Sequence, residues 1–190
     1  MATGLMITLN APLRPDDRSR RYEAPLSAAL EERRVGHELI GGGTLLNGDR
    51  EPAISDFDLE VEGDTAGVLG LVIGTLEAAG APKGSRATLG DGEPVPFGTT
   101  EGVGLYLNGT DLPDDVYEDN HIDDLIGGLL ERLGPDGRMQ SWWQGPREMA
   151  LYFYGPSARR VQDVLAEELP GFPLAQRSRV VPLPLTMPSG

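Results

Sequence analysis

Phe57-Asp-Leu-Glu-Val-Glu-Gly-Asp64, followed by Thr65-Ala-Gly-Val-Leu-Gly-Leu-Val-Ile-Gly-Thr-Leu-Glu-Ala-Ala-Gly80, is the stretch of this 190-residue chain that decides its fold. The first part alternates apolar and acidic residues, which predicts a strand with one buried face. In the second part apolar residues recur at helical spacing, Asp64 or Thr65 can cap the helix, and Gly80 follows its end. The stretch therefore predicts a strand that runs directly into an amphipathic helix.

The same pattern returns near the end of the chain. Met149-Ala-Leu-Tyr-Phe-Tyr-Gly155 predicts a strand, and Val161, Val164, Leu165 and Leu169 mark the apolar stripe of a following helix. Around these two stretches, each half of the chain predicts the order strand, helix, strand, strand, helix, strand. The chain therefore contains the same structural unit twice.

Two pairs of residues show how the halves correspond. Leu9-Asn10 ends the first strand of the first half and matches Leu107-Asn108, and Gly63 matches Gly155. The order of elements resembles the ferredoxin-like βαββαβ fold in both halves. The resemblance implies an α+β protein of two tandem ferredoxin-like units, with antiparallel sheets and helices on one face of each sheet.

The predicted domain boundaries follow from a stretch that is rich in proline and glycine. We expect a first unit at 1–90, a linker at 91–98 and a second unit at 99–190. A composition of 39% hydrophobic and 24% charged residues is typical of a soluble globular protein. The chain begins without the basic and apolar pattern of a signal peptide and has no apolar run of about 18 residues, which predicts a cytoplasmic protein that does not bind membranes.

The formal net charge of −14 limits the classes of partner. A negative field repels phosphate backbones, so we expect no nucleic-acid binding. The same field speeds association with a basic protein or a cationic ligand. The alternative is that the acidic surface only keeps the protein soluble.

No motif of catalysis or cofactor binding is found. The absence of cysteine excludes thiolate nucleophiles and metal sites built on sulfur. Gly41-Gly42-Gly43 lacks the lysine and serine of a phosphate-binding loop, so a bulge or a flexible hairpin arm is the preferred interpretation. Neither His37 nor His121 has a catalytic partner at a recognised spacing. We therefore predict a protein that is not an enzyme and has no cofactor.

Alignment of the two central strands predicts which residues lie in the core. The expected core residues of the two units correspond one to one: Phe57, Leu59 and Val61 in the first, Met149, Leu151 and Phe153 in the second. The opposite face of the first sheet then carries three acids, Asp58, Glu60 and Glu62. Alternate residues of a strand lie about 6.5–7 Å apart, too far for neighbouring carboxylates to share a metal ion unaided, so we predict no metal site.

The matching face of the second sheet is aromatic. It carries Ala150, Tyr152 and Tyr154, and Trp143 joins it if the hairpin turns tightly at Gly145-Pro146 and sets Trp143 opposite Glu148. If the two sheets packed face to face, the acids would be buried without cations at several kcal/mol each, so we favour a side-by-side arrangement with both faces accessible. The alternative for the tyrosines is that they half-cover a solvated sheet.

These features favour a non-enzymatic module that binds a basic protein. In charge and size the chain resembles small acidic bacterial immunity proteins and inhibitors. The residues predicted to bind the partner are Asp58, Glu60, Glu62, Trp143, Tyr152 and Tyr154. The alternative is a ligand-sensing pair, similar to regulatory ferredoxin-like modules that hold a small molecule between domains. An enzyme that uses carboxylates and tyrosine hydroxyls ranks last.

Overall fold

The structure, a computed structural model, describes residues 2–63 and 65–187, and the side chains of all of these except Thr65 and Ala66. The helix cap predicted at Asp64 or Thr65 lies outside these residues and side chains. The chain divides into two compact units. The described residues of the first unit fall within Met1–Gly48, Pro52–Thr100 and Pro184–Gly190, and the second unit comprises Asp49–Glu51 and Glu101–Leu183.

In its described residues, the first unit contains a five-stranded antiparallel sheet and three helices. Its elements are β1 Ala2–Leu9, α1 Pro15–Arg18, α2 Ala24–Glu32, β2 His37–Leu46, β3 Pro52–Glu62, α3 Thr65–Ala78, β4 Ser85–Leu89 and β5 Val95–Phe97. A π-helical turn at Ser19–Glu23 joins α1 and α2 into one helical segment. The strands of the sheet lie in the order β2-β3-β1-β4-β5.

The second unit contains a four-stranded antiparallel sheet. Its elements are β6 Glu101–Asn108, α4 Asp114–Asp119, α5 Ile122–Leu133, β7 Arg138–Gln144, β8 Glu148–Gly155, α6 Ala158–Glu168 and β9 Arg179–Pro182. The strands of the sheet lie in the order β7-β8-β6-β9. Apart from the extra strand β5, the two sheets have the same strand order, which is that of the ferredoxin-like fold. The predicted fold class is confirmed: the chain is an α+β protein of two tandem ferredoxin-like units.

Each core lies on the sheet face that the helices cover. Phe57, Leu59 and Val61 are buried as predicted, and so are Leu151 and Phe153, whereas Met149 is half-buried. In the second unit, α5 contributes buried leucines one helical turn apart, and these pack against the strands. They are Leu125, Leu129 and Leu133.

The predicted linker at 91–98 is wrong for Val95–Phe97. These residues form β5, which pairs with β4 so that Phe97 lies opposite Ser85, and Phe97 is buried. A proline at the centre of this strand is tolerated because β5 is at the edge of the sheet, where its missing N–H is not needed. The end of the chain also departs from the predicted boundaries, because the Asn10 amide donates to the Pro184 carbonyl oxygen at 2.8 Å within the first unit.

Gly42, the central one of the three glycines of β2, accommodates a buried arginine. The register of β2 against β3 shifts between Leu39 and Gly41, which is the bulge that the sequence predicts. Arg18 donates to the Gly43 carbonyl oxygen at 2.7 Å, and a Cβ at Gly42 would lie 2.8 Å from Arg18 Nη2. Arg18 also pairs with Glu23 at 2.5 Å. Gly42 therefore has a structural role, since a side chain there would displace the guanidinium.

Candidate functional site

The three acids predicted on the first sheet share its helix-free face. Asp58 is half-buried, and Glu60 and Glu62 are exposed. Glu38 of β2 joins them because the register places it directly opposite Glu60. Like charges in opposite positions of a sheet destabilise it, so this pair costs stability when no cation lies against it.

Neither a cluster of metal ligands nor a membrane-spanning helix is found in the described part of the chain. Within residues 2–63 and 65–187, no three His, Asp or Glu side chains come together in a way that could hold a metal ion. Over the same residues, no helix combines the length and the apolar composition needed to cross a membrane.

The predicted open aromatic face is wrong for two of its residues. Tyr152 and Tyr154 are 0% and 1% exposed, so neither presents a ring to a partner, while Trp143 is half-buried. Trp143 pairs with Ala150 rather than with Glu148, because the hairpin turns one residue later than predicted, and the Gly145 N–H donates to the Glu148 carbonyl oxygen at 2.9 Å. A two-residue shift keeps Trp143 on the predicted face.

A carboxylate accepts hydrogen bonds from two tyrosines on this face. Tyr106 and Tyr152 donate to the same oxygen, Glu51 Oε1, at 2.5 Å and 2.7 Å. Burial raises the pKa of both hydroxyls well above the ordinary value, and the hydrogen bond to Glu51 and its negative charge raise the pKa further. Both hydroxyls are therefore neutral donors at physiological pH.

Sequence reasoning missed Glu51 and Tyr106. Glu51 follows a strong turn signal, and nothing in the local pattern indicates that it meets residues more than fifty positions away. The position of Tyr106 could have been predicted, since Tyr106 follows Gly102 and Gly104 in alternate positions on the helix-free face of β6. Glycines in alternate positions of a strand often mark a close approach by other groups.

The second unit also contains a cavity of about 400 Å³ at one end of its sheet. The ends of β6 and β7, the start of β8, the junction of α4 and α5 and a turn after α6 surround it. The residues that line it are Leu107, Asn108, Gly109, Tyr117, Asn120, His121, Ile122, Gln144, Met149 and Leu174.

Hydrogen bonds hold the wall of this cavity in place. The Asn108 side-chain oxygen accepts from the backbone N–H groups of Thr110 and Asp111 at 3.0 Å and 2.8 Å. The Tyr117 hydroxyl donates to the Asn108 carbonyl oxygen at 3.2 Å. The Asn120 amide donates to the Val116 carbonyl oxygen at 2.9 Å. These hydrogen bonds fix the loop between β6 and α4 against α4, so this wall of the cavity is ordered by contacts within the unit.

The chemistry of the cavity is neutral and amphipathic. Ile122, Met149 and Leu174 form an apolar side that packs against the core of the unit. The polar side of the cavity is formed by the amides of Asn120 and Gln144 and by the exposed imidazole of His121. Amides and imidazole both donate and accept hydrogen bonds. A compact molecule with an apolar body and a polar edge would match both sides.

The comparisons with known proteins give no family. No protein-family model matches the chain, and no curated protein matches it in sequence. The solved structures that are similar to the chain include that of an unknown protein from Galdieria sulphuraria. It is 14% identical over 96% of this chain and 98% of that one, with a TM-score of 0.31. A protein from Bacteroides thetaiotaomicron is 11% identical over 96% and 92% of the two chains, with a TM-score of 0.28.

A third structure is provisionally described as a glycine cleavage system transcriptional repressor. It is 13% identical to this chain, covers 96% of both chains and has a TM-score of 0.33. Because these TM-scores lie well below 0.5, none of the three likenesses carries an argument about the function of this chain.

Proposed function

We propose that the chain is a non-enzymatic regulatory module that binds a small molecule in the cavity of its second unit. The observation that supports this role is the cavity itself, whose volume of about 400 Å³ lies in the usual range for ligand sites. A wall tied by hydrogen bonds and an apolar side continuous with the core are also typical of such sites.

The lining residues narrow the class of ligand. The described residues around the cavity carry no formal charge except what His121 gains on protonation. Burying an unpaired charge against neutral groups is costly, so a compact neutral or zwitterionic molecule fits better than a highly charged one. Amino acids, nucleobases and nucleosides belong to this class. Nucleotides are highly charged and should bind less well.

A thermal-shift screen with amino acids, nucleosides and nucleotides tests the proposal. A ligand that binds only the folded chain stabilises it by about 2.7 kcal/mol when it is present at a hundred times its dissociation constant. We expect at least one member of the neutral or zwitterionic group to raise the melting temperature in a saturable way.

The double variant His121→Ala, Gln144→Ala locates the binding. Both side chains are exposed, so their loss leaves the core intact, and we expect it to weaken the ligand's effect at least tenfold. His37→Ala changes the other histidine of the chain, in the first unit, and is the matched control. Equal ligand response in the double variant and the control would place binding outside this cavity.

A second candidate function is the recognition of a basic protein by the acidic face of the first sheet. The observation that favours it is the exposed pair Glu38 and Glu60, whose mutual repulsion a cationic partner would relieve. Glu62 and Asp58 extend the same face. An immunity or inhibitor role for this surface stays a prediction.

Binding of a labelled oligolysine peptide tests this surface. We expect the triple variant Asp58→Asn, Glu60→Gln, Glu62→Gln to bind the peptide several-fold more weakly than the unmodified chain. The triple variant Asp114→Asn, Asp115→Asn, Glu118→Gln makes the same charge change on α4 and should retain binding. Equal losses in both variants would mean that only the net charge attracts the peptide.

A further inference from the structure

The cluster of Glu51 with Tyr106 and Tyr152 is a second site, separate from the cavity. The two hydroxyls come from neighbouring strands, β6 and β8, and converge on one carboxylate oxygen. Tyrosine hydroxyls can donate or accept, but a carboxylate only accepts, so both hydroxyls act as donors here. Hydrogen bonds to an ionised group are the stronger kind. The arrangement is a pair of donors aimed at one anionic group.

The neighbouring Trp143 contacts the same short segment. Its indole Nε1 donates to the main-chain carbonyl oxygen of Arg50 at 3.1 Å. The segment Asp49–Glu51 is therefore held by a backbone carbonyl and by the carboxylate one residue later. An indole N–H is a donor only, which matches the acceptor that it meets. A carbonyl beside a carboxylate is what an extended acidic peptide presents to its binding site.

The sheet is shaped to receive the two tyrosine rings. A Cβ at Gly104 would lie 2.8 Å from Tyr106 Cε2, so only glycine lets this ring lie against β6. The Arg179 guanidinium lies 3.5 Å from the centre of the Tyr106 ring, and Glu148 holds it there through a hydrogen bond of 2.6 Å. A cation over the ring draws electron density from the phenol, which strengthens its hydroxyl as a donor to an anion.

We propose that Tyr106 and Tyr152 form a carboxylate-binding site, with Trp143 recognising the adjacent main-chain carbonyl, and that the segment Asp49–Glu51 occupies it as an intramolecular ligand. The net charge of −14 repels carboxylates in solution, so a carboxylate within the chain occupies this site more readily than a free one. A group within the chain binds without the loss of translational freedom that a separate ligand suffers.

Chemical rescue of Glu51→Ala with acetate tests this proposal. The substitution removes the atoms of one acetate ion from beside the two hydroxyls. We expect the melting temperature of the variant to fall by several degrees. Acetate, but not chloride at the same ionic strength, should restore part of this loss in a saturable way.

The triple variant Glu51→Ala, Tyr106→Phe, Tyr152→Phe is the matched control, because it keeps the rings and removes the donors. It should respond to acetate no more than to chloride, and so should the unmodified chain, whose site is filled. A response of equal size in all three proteins, or no response in Glu51→Ala, would overturn the proposal.

Glu51→Gln keeps the volume of the side chain and one acceptor oxygen, so it provides a folded background if Glu51→Ala does not fold. Removing the charge of the carboxylate should let Tyr106 and Tyr152 ionise at lower pH than in the unmodified chain. Unchanged tyrosine ionisation in Glu51→Gln would also overturn the proposal, since a bound carboxylate must influence its donors.

Discussion

The tyrosine hydroxyls beside Glu51 decide how the protein responds to high pH. Burial and the Glu51 carboxylate both oppose a further negative charge, so the pKa of Tyr106 and of Tyr152 in the folded chain lies above the ordinary value of about 10. Above about pH 10 the unfolded chain loses these protons while the folded chain keeps them. The stabilisation is complete below that pH and is lost as the pH rises toward the folded pKa values.

We therefore predict that the free energy of unfolding falls as the pH rises above about 10, measured by urea denaturation at a series of pH values. The double variant Tyr106→Phe, Tyr152→Phe should show a weaker pH dependence. The absorbance of tyrosinate gives a second readout, because the pKa values of Tyr106 and Tyr152 lie above the ordinary value and the double variant lacks both hydroxyls. A tyrosinate titration that is complete near pH 10 in the folded unmodified chain would contradict the assigned burial and hydrogen bonds.

At the scale of single residues, the sequence predicted the positions of some site residues and not of others. Alternation along β3 placed Asp58, Glu60 and Glu62 on one face, because the period of a strand fixes the face of each side chain. It could not show that Tyr152 and Tyr154 are buried, because that depends on which distant residues lie over the face. Glu51 could not be predicted for the same reason.

Among the elements, β2 and β3 carry an unfavourable charge pair that can be tested without any partner. Glu38 and Glu60 lie directly opposite each other, so we predict that Glu38→Gln raises the free energy of unfolding by about 0.2–1 kcal/mol. Glu93→Gln makes the same change in net charge at an exposed position between β4 and β5, and should have little effect. Urea denaturation at low salt measures both, and equal gains would show that only net charge matters.

The helix α5 gives a prediction about the core of the second unit. Leu129 is fully buried, so Leu129→Ala should lower the free energy of unfolding by about 2–5 kcal/mol. Leu130 is the next residue of the same helix and is half-buried, so Leu130→Ala should cost clearly less. Comparable losses in urea denaturation of the two variants would contradict the assigned face of α5.

At the scale of elements the sequence was a good guide where periodicity was strong. The stripe of α6 and the alternation of β3 predicted both elements and their buried faces, because these patterns repeat over several turns or pleats. Val95–Phe97 falls within the predicted linker because the prolines and glycines in and around it signal a turn. Pairing with β4 overrides that local signal, and only the folded sheet reveals it.

For the whole molecule, the duplication could be predicted because both halves repeat the same order of elements around matching glycines. The function could not, because no motif of known chemistry is present and the cavity of the second unit is formed by residues from several separate elements. Leu107, Tyr117 and Gln144 carry no shared sequence signal. They meet only because the ferredoxin-like topology brings the ends of β6 and β7 beside α4.

The most direct test of the proposed function is an NMR titration of the full chain with amino acids and nucleosides that stabilise it in the thermal-shift screen. Binding in the cavity predicts that the largest chemical-shift changes fall at Asn120, His121 and Gln144, and that His121→Ala, Gln144→Ala reduces them. Shift changes confined to the first unit, or no compound that perturbs the lining residues, would contradict a ligand site in this cavity.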